Sequence, residues 1–226
     1  MVTFENRDCM DAMRTFPDKF FDLAIVDPPY GDASTHTHRE QRFGGRFGKY
    51  KRPPECWTDR RNVGGEVRKK IVAWDVAPPK EYFTELFRIS RNQIIWGGNY
   101  FDLPPTRCFL IWRKLTISES FSMAMCEYAW TSFNSNAKVF ECAPQGRAGD
   151  VRFHPTQKPV ELYKWILSRY AKEGDKILDT HVGSASSLIA CYDMGFDAWG
   201  YEIDKEYYNK ASERLNEVMA QIRMEF

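Results

Sequence analysis

The sequence predicts an α/β protein built on one mostly parallel sheet of seven strands with an antiparallel edge. Three observations predict it. Short apolar runs, among them 20–26, 92–96 and 176–179, have the near-continuous hydrophobicity of strands buried on both faces. Helical patterns separate them, as at 80–89 and 160–172. Towards the carboxyl end, a strand, a turn, a helix and a second strand ending in an acid follow one another over 176–202, the layout of a βαβ unit.

Val2-Thr3-Phe4-Glu5 reads as a short strand, and a weak helix runs from Met10 to Phe16. Pro17-Asp18-Lys19 turns the chain into the apolar run 20–26, which ends in Asp27-Pro28-Pro29-Tyr30-Gly31. Pro78 and Pro79 open a helix to about Ile89, with Tyr82, Phe83, Leu86 and Phe87 on one face. A strand at 92–96 leads to Gly97-Gly98, and 108–112 and 127–131 form the antiparallel edge. Two short connectors lie at 114–122 and 140–152. The segment 153–162 leads into a helix over 160–172, and the strand 176–179 turns at 180–186 into a helix at 187–194. The strand 197–202 precedes a long final helix capped by Asp204.

The 226 residues suit a single domain, 1–226, with 43% hydrophobic and 15% aromatic residues. No apolar run approaches the ~20 residues of a membrane span. Charges interrupt the first residues before any apolar signal region. The six cysteines form no C-x-x-C pair, and with four histidines no metal-ligand spacing emerges, so free thiols in a reducing cytoplasm and no metal are expected.

The total charge of +1 conceals a segregation. Residues 32–70 carry eleven Lys or Arg against five Asp or Glu. Glycines and prolines break any regular element there, and Phe43, Phe47, Tyr50 and Trp57 are interleaved with the cations. Phosphate contact with base stacking suits such a loop, and Arg39, Arg42, Arg46, Lys49, Lys51 and Arg52 are its candidate DNA-binding residues. A solvated flexible loop is the alternative.

The chemistry centres on residues 27–30. A strand ending in Asp-Pro-Pro-Tyr sets a carboxylate and a ring at the carboxyl edge of a sheet, where open α/β sheets bind ligands. The prolines stiffen the loop and lack N–H groups, leaving carbonyl acceptors beside an aromatic face. An exocyclic amine on a flat ring fits this cluster. Asp27, Pro28, Pro29 and Tyr30 resemble the catalytic motif of the amino-methyltransferases, which methylate adenine N6 or cytosine N4 in nucleic acids. The closest likeness is to the N6-adenine branch, in its small, often phage-encoded members, through Trp74-Asp75 and the segment 96–100.

A second motif, His154-Pro155-Thr156-Gln157-Lys158-Pro159, resembles the β-class segment that lies against the methionine end of S-adenosylmethionine. Lys158 would offer a positive donor to the cofactor's carboxylate, and Thr156 a hydroxyl and a possible helix cap. Within that class an acid near the amino terminus, here Asp8 with Cys9 beside it, neighbours the cofactor's adenine; Asp8 also suits a plain helix cap. The turn after 176–179 brings Asp179, His181, Gly183 and Ser184 to the cofactor, and Glu202 can accept both ribose hydroxyls. The family pattern there is Asp-Pro-Phe-x-Gly-Ser-Gly-Thr. This chain has Thr180, His181, Ala185 and Ser186 instead, and the added methyl of Ala185 is expected to weaken or shift cofactor binding.

The catalytic motif comes first and the cofactor turn last, as in the circularly permuted β class with its Rossmann-like methyltransferase domain. The resemblance implies an S-adenosylmethionine-dependent DNA adenine N6-methyltransferase acting on double-stranded DNA, cytoplasmic, as a monomer or homodimer, of the restriction-modification kind. N4-cytosine methylation, an RNA substrate and a non-catalytic DNA-binding homologue stand as alternatives. The connector 140–152 is too short for a separate target-recognition domain, so a short recognition site or loose specificity is expected.

Overall fold

The structure, a computed structural model, describes residues 1–31, 75–119, 124–145 and 152–221. The six candidate DNA-binding residues between 39 and 52 lie outside them, as do parts of both connectors. Two compact units divide the chain, residues 1–28 with 80–226, and residues 29–79. In the second unit, Gly31 adopts a left-handed φ of 69° and its N–H donates to Asp75 Oδ1 at 3.0 Å.

The first unit holds an eight-stranded sheet: β1 (Val2–Glu5), β2 (Phe21–Val26), β3 (Ser90–Trp96), β4 (Phe109–Lys114), β5 (Cys126–Thr131), β6 (Lys138–Cys142), β7 (Lys176–Asp179) and β8 (Asp197–Tyr201). Their spatial order is β1-β8-β7-β2-β3-β5-β4-β6. β5 runs antiparallel to β3 and β4, and the remaining pairs are parallel. The sequence predicts seven strands. The eighth, β6, overlaps the start of the expected connector 140–152 and pairs in parallel with β4, Leu110 opposite Lys138 through Lys114 opposite Cys142.

Side-chain alternation along β2 explains why both faces are covered. Leu23 and Ile25 point into a core with α3 (Val160–Tyr170), α4 (Ser186–Asp193) and α5 (Lys205–Ala220). Ala24 and Val26 point into the opposite one, with α1 (Cys9–Met13) and α2 (Lys80–Ile89). Each fully buried Leu or Ile contributes roughly 1.5–3 kcal/mol. At Gly200 in β8, an added Cβ would sit 2.6 Å from a Val182 methyl and 2.7 Å from a Leu188 methyl, so any larger residue would force these side chains to shift.

The strand order positions the site. From β7 the chain passes to β8 on one side, and from β2 to β3 on the other. β2 and β7 are paired neighbours, so the connections diverge between them. Such a switch point opens a crevice at the carboxyl ends of the strands. Asp27 follows β2 and Asp179 ends β7.

Candidate active site

Asp27 stands where β2 leaves the sheet, its side chain 14% exposed. The ammonium of Lys158, two residues before α3, is ion-paired with Asp27 Oδ2. It also lies 3.2 Å from Glu127 Oε2 on β5. Glu127 Oε1 in turn meets Lys114 Nζ, at the end of β4, at 2.6 Å. Two carboxylates and two ammonium groups thus alternate in a line across three strands and the lead-in to a helix. The lysine side chains are 2% and 6% exposed.

Each ammonium rests near an indole, Lys158 at 5.2 Å from the Trp96 ring centroid and Lys114 at 5.1 Å from that of Trp112. Trp96 Nε1 is buried and has no hydrogen-bond partner among the described residues, and the Lys158 ammonium lies over the face of this indole. Burial alone would pull the Lys158 ammonium down, but the Asp27 and Glu127 carboxylates more than offset it and hold it above its ordinary value. Burial likewise pushes Glu127 up, and the two lysines more than reverse the shift.

At the end of β7, Asp179 is buried, with no cation paired to it among the described residues. Its Oδ1 accepts the His181 N–H at 3.0 Å, and Oδ2 accepts the Ser187 hydroxyl. Burial pushes its carboxyl up to about 7. The Thr180 hydroxyl links Tyr82, at 2.6 Å from the phenol, to His181 Nδ1 at 2.9 Å. Burial holds His181 and His154 down at about 4, so both rings are neutral near pH 7. His154 packs edge-on against Tyr207 with centroids 4.4 Å apart.

The turn is pinned from several sides. Gly183 has a φ of 55°, and a Cβ there would press on the His154 ring at 3.3 Å. Its N–H donates to Glu202 Oε2 at 2.9 Å, and Asp204 N–H donates to Glu202 Oε1 at 2.8 Å. Arg214 Nη1 donates to the Ser184 carbonyl at 2.6 Å and to the Ser186 hydroxyl at 3.0 Å. Ser184 and Ser186 are hydrogen-bonded to each other at 3.1 Å. Ala185 caps α4 with φ 62° and ψ 16°, the left-handed region that favours glycine, and is fully buried.

Asp8 caps α1, accepting the N–H groups of Met10 at 2.7 Å and Asp11 at 3.3 Å. Burial raises the Cys9 thiol to about 12. Thr156 is not the cap of α3. That position is Pro159, and the Thr156 hydroxyl is hydrogen-bonded to His154 Nδ1 at 3.2 Å. Asp204 caps α5 as its sequence predicts, accepting the Glu206 and Tyr207 N–H groups. Sequence reasoning missed Lys114 and Glu127. The available signal was alternation: Lys114 shares a face with buried Leu110 and Trp112, and Glu127 shares one with Ala129. Among the described residues, no group of three His, Cys, Asp or Glu could hold a metal ion, and no helix is long and apolar enough to cross a membrane.

The diverging, mostly parallel sheet, with an acid at the carboxyl end of each of the two central strands, defines a Rossmann-like α/β fold. Residues 106–213 match the family model of N6 and N4 DNA methylases. The chain is 41% identical over 63 residues to the type II methyltransferase M.HpaI of Haemophilus parainfluenzae, a match spanning 28% of this chain and 20% of that enzyme. It is 22% identical over 257 residues to the type II methyltransferase M2.MboI of Moraxella bovis, covering 97% of this chain and 89% of that one. Among solved structures it resembles the M1.HpyAVI–SAM complex, with a TM-score of 0.58 and 17% identity over 96% of this chain and all of the other. The fold is also shared with the cytosine-N4-specific PvuII DNA methyltransferase, with a TM-score of 0.57 and 9% identity over 96% and 90% of the two chains.

Proposed function

We propose that the protein transfers a methyl group from S-adenosylmethionine to the exocyclic N6 of adenine in DNA. The observation that carries this reading is the Asp27 carboxylate at the carboxyl end of β2, at the switch point, followed directly by Pro28-Pro29-Tyr30.

The residues at the ends of β7 and β8 fit the cofactor. Each Glu202 oxygen has accepted one backbone N–H and keeps a lone pair for a ribose hydroxyl. Gly183, Ser184 and His181 form the turn against which it would lie, with Asp8, Cys9, His154, Thr156 and Asp179 as further proposed contacts. When bound, S-adenosylmethionine supplies a methyl group on a cationic sulfur, whose departure leaves a neutral thioether.

The chain's own residues do the rest. The target base is extruded from the duplex, because N6 is inaccessible within it. Tyr30 stacks on the base. Asp27 and the Pro28 carbonyl each accept one N6 hydrogen, which draws the nitrogen lone pair out of conjugation and aims it along the line of displacement. The N–C bond forms as the S–C bond breaks, and the nitrogen then gives up one proton. Positioning and electrostatics supply the acceleration, without a covalent intermediate. The 32–70 segment, with Arg39, Arg42, Arg46, Lys49, Lys51 and Arg52, is proposed to contact the DNA phosphates. A cytoplasmic site of action follows from that substrate.

Transfer of labelled methyl from S-adenosylmethionine to duplex DNA tests this reading. Asp27→Ala is expected to abolish transfer while leaving cofactor binding nearly intact. Undiminished transfer by that variant would remove Asp27 from the chemistry.

A further inference from the structure

We propose that Lys158 is a positioning residue for methyl transfer, acting through Asp27, and that Glu127 and Lys114 hold it there. The inference deepens the proposed function and rests on it. The sequence motif alone suggests a cofactor contact for Lys158, but its ammonium meets Asp27 and Glu127.

Three features support the assignment. With its side chain 2% exposed, Lys158 has almost no water to solvate its charge, so the carboxylates are its counter-ions. A carboxylate gripped at Oδ2 cannot swing about its χ2 axis, and the grip fixes the direction from which Asp27 meets the amine. Glu127 has a distinct task. It reaches Lys158 on one oxygen and Lys114 on the other, so its position does not depend on Asp27.

That second counter-ion matters after transfer. The methylated nitrogen carries a positive charge until it releases a proton. Asp27 accepts that proton and passes it to water, restoring the carboxylate. While Asp27 is neutral, Lys158 keeps Glu127 as its anion, and no buried ammonium is stranded. Methyl moves from sulfur to nitrogen, the S–C electron pair stays on sulfur, and one proton leaves for solvent.

The test measures kcat at saturating cofactor, cofactor dissociation by calorimetry and thermal melting for the wild type, Lys158→Ala and Glu127→Gln. Wild-type methylation of DNA in the same assay is the reference; its absence would strike the function reading rather than this one. Lys158→Ala should lower kcat by about 100-fold, the scale of a displaced reacting group. Its cofactor Kd should stay within about threefold of wild type, and added propylammonium should restore part of kcat. A fold-supporting lysine would give no such rescue. Glu127→Gln, which retains the Lys158–Asp27 pair, keeps the test decisive should the alanine variant fail to fold; it should lower kcat by about 10-fold with Kd unchanged. A weakened cofactor Kd with kcat preserved at saturation would make Lys158 a cofactor ligand and overturn the proposal. So would unchanged kcat in Glu127→Gln.

Discussion

Two aspartates end neighbouring parallel strands, and the protein treats them in opposite ways. Asp27, after β2, is ion-paired with a buried ammonium backed by a second carboxylate and a second ammonium. Among the described residues, Asp179 at the end of β7 receives a backbone N–H and a hydroxyl and no cation, and burial raises it to about 7. The difference separates two tasks. On the proposed mechanism, a carboxylate that meets a substrate amine is charged and fixed in direction when the amine arrives, and a cation holds it so. One that shapes a turn beside the proposed cofactor site is held by donors of fixed geometry.

The comparison can be broken at its charged side first. Lys114→Met leaves Glu127 short of one counter-ion, and destabilisation of about 3 kcal/mol is expected in thermal or urea unfolding. Adding Glu127→Leu should recover part of that loss, because exchanging both partners is far milder than stranding one. A double variant less stable than Lys114→Met would deny the pairing.

On the Asp179 side the expected effect depends on pH. The folded carboxyl lies above its ordinary 3.8, so its contribution to stability is full below about pH 4 and is lost as pH rises through about 7. Asp179→Asn removes that loss. Relative to wild type the variant should gain stability between pH 4 and 8, by up to about 4 kcal/mol. Melting curves at several pH values check this, and a pH-independent difference would contradict it. His154 and His181 act in the other direction. Held down at about 4, they contribute stability that is present above about pH 6.5 and lost as pH falls towards 4.

Smaller effects sharpen the turn. Ala185→Gly relieves a left-handed alanine worth about 1 kcal/mol but gives up a buried methyl, so stability should change by less than about 1 kcal/mol. Cofactor affinity should rise if the methyl crowds the binding turn, as calorimetry would show. Tyr82→Phe deletes the hydrogen bond to Thr180 and should cost about 1 kcal/mol.

Much of this was legible in the sequence, for local reasons. The runs at β2, β3 and β7 carry their own hydrophobicity, and Asp204 announces its helix as an N-cap. Ala185 shows as a departure from the family turn, and its left-handed backbone supplies the physical meaning. β6 was hidden because its half-exposed residues alternate without a buried face, as an edge strand can. The charge line was hidden for a different reason. Lys158 and Asp27 are 131 residues apart, and no periodicity links residues that meet only through sheet order. The ammonium's partner therefore became legible only with the fold.

Methylation of adenine N6 through Asp27 can be read out directly. Nucleoside mass spectrometry of duplex DNA, after incubation with S-adenosylmethionine and either the intact protein or Asp27→Ala, tests it most directly. N6-methyladenine is expected with the intact protein alone. N4-methylcytosine in its place would preserve the mechanism and overturn the base, and no methylated base on duplex DNA, single-stranded DNA or RNA would contradict the account.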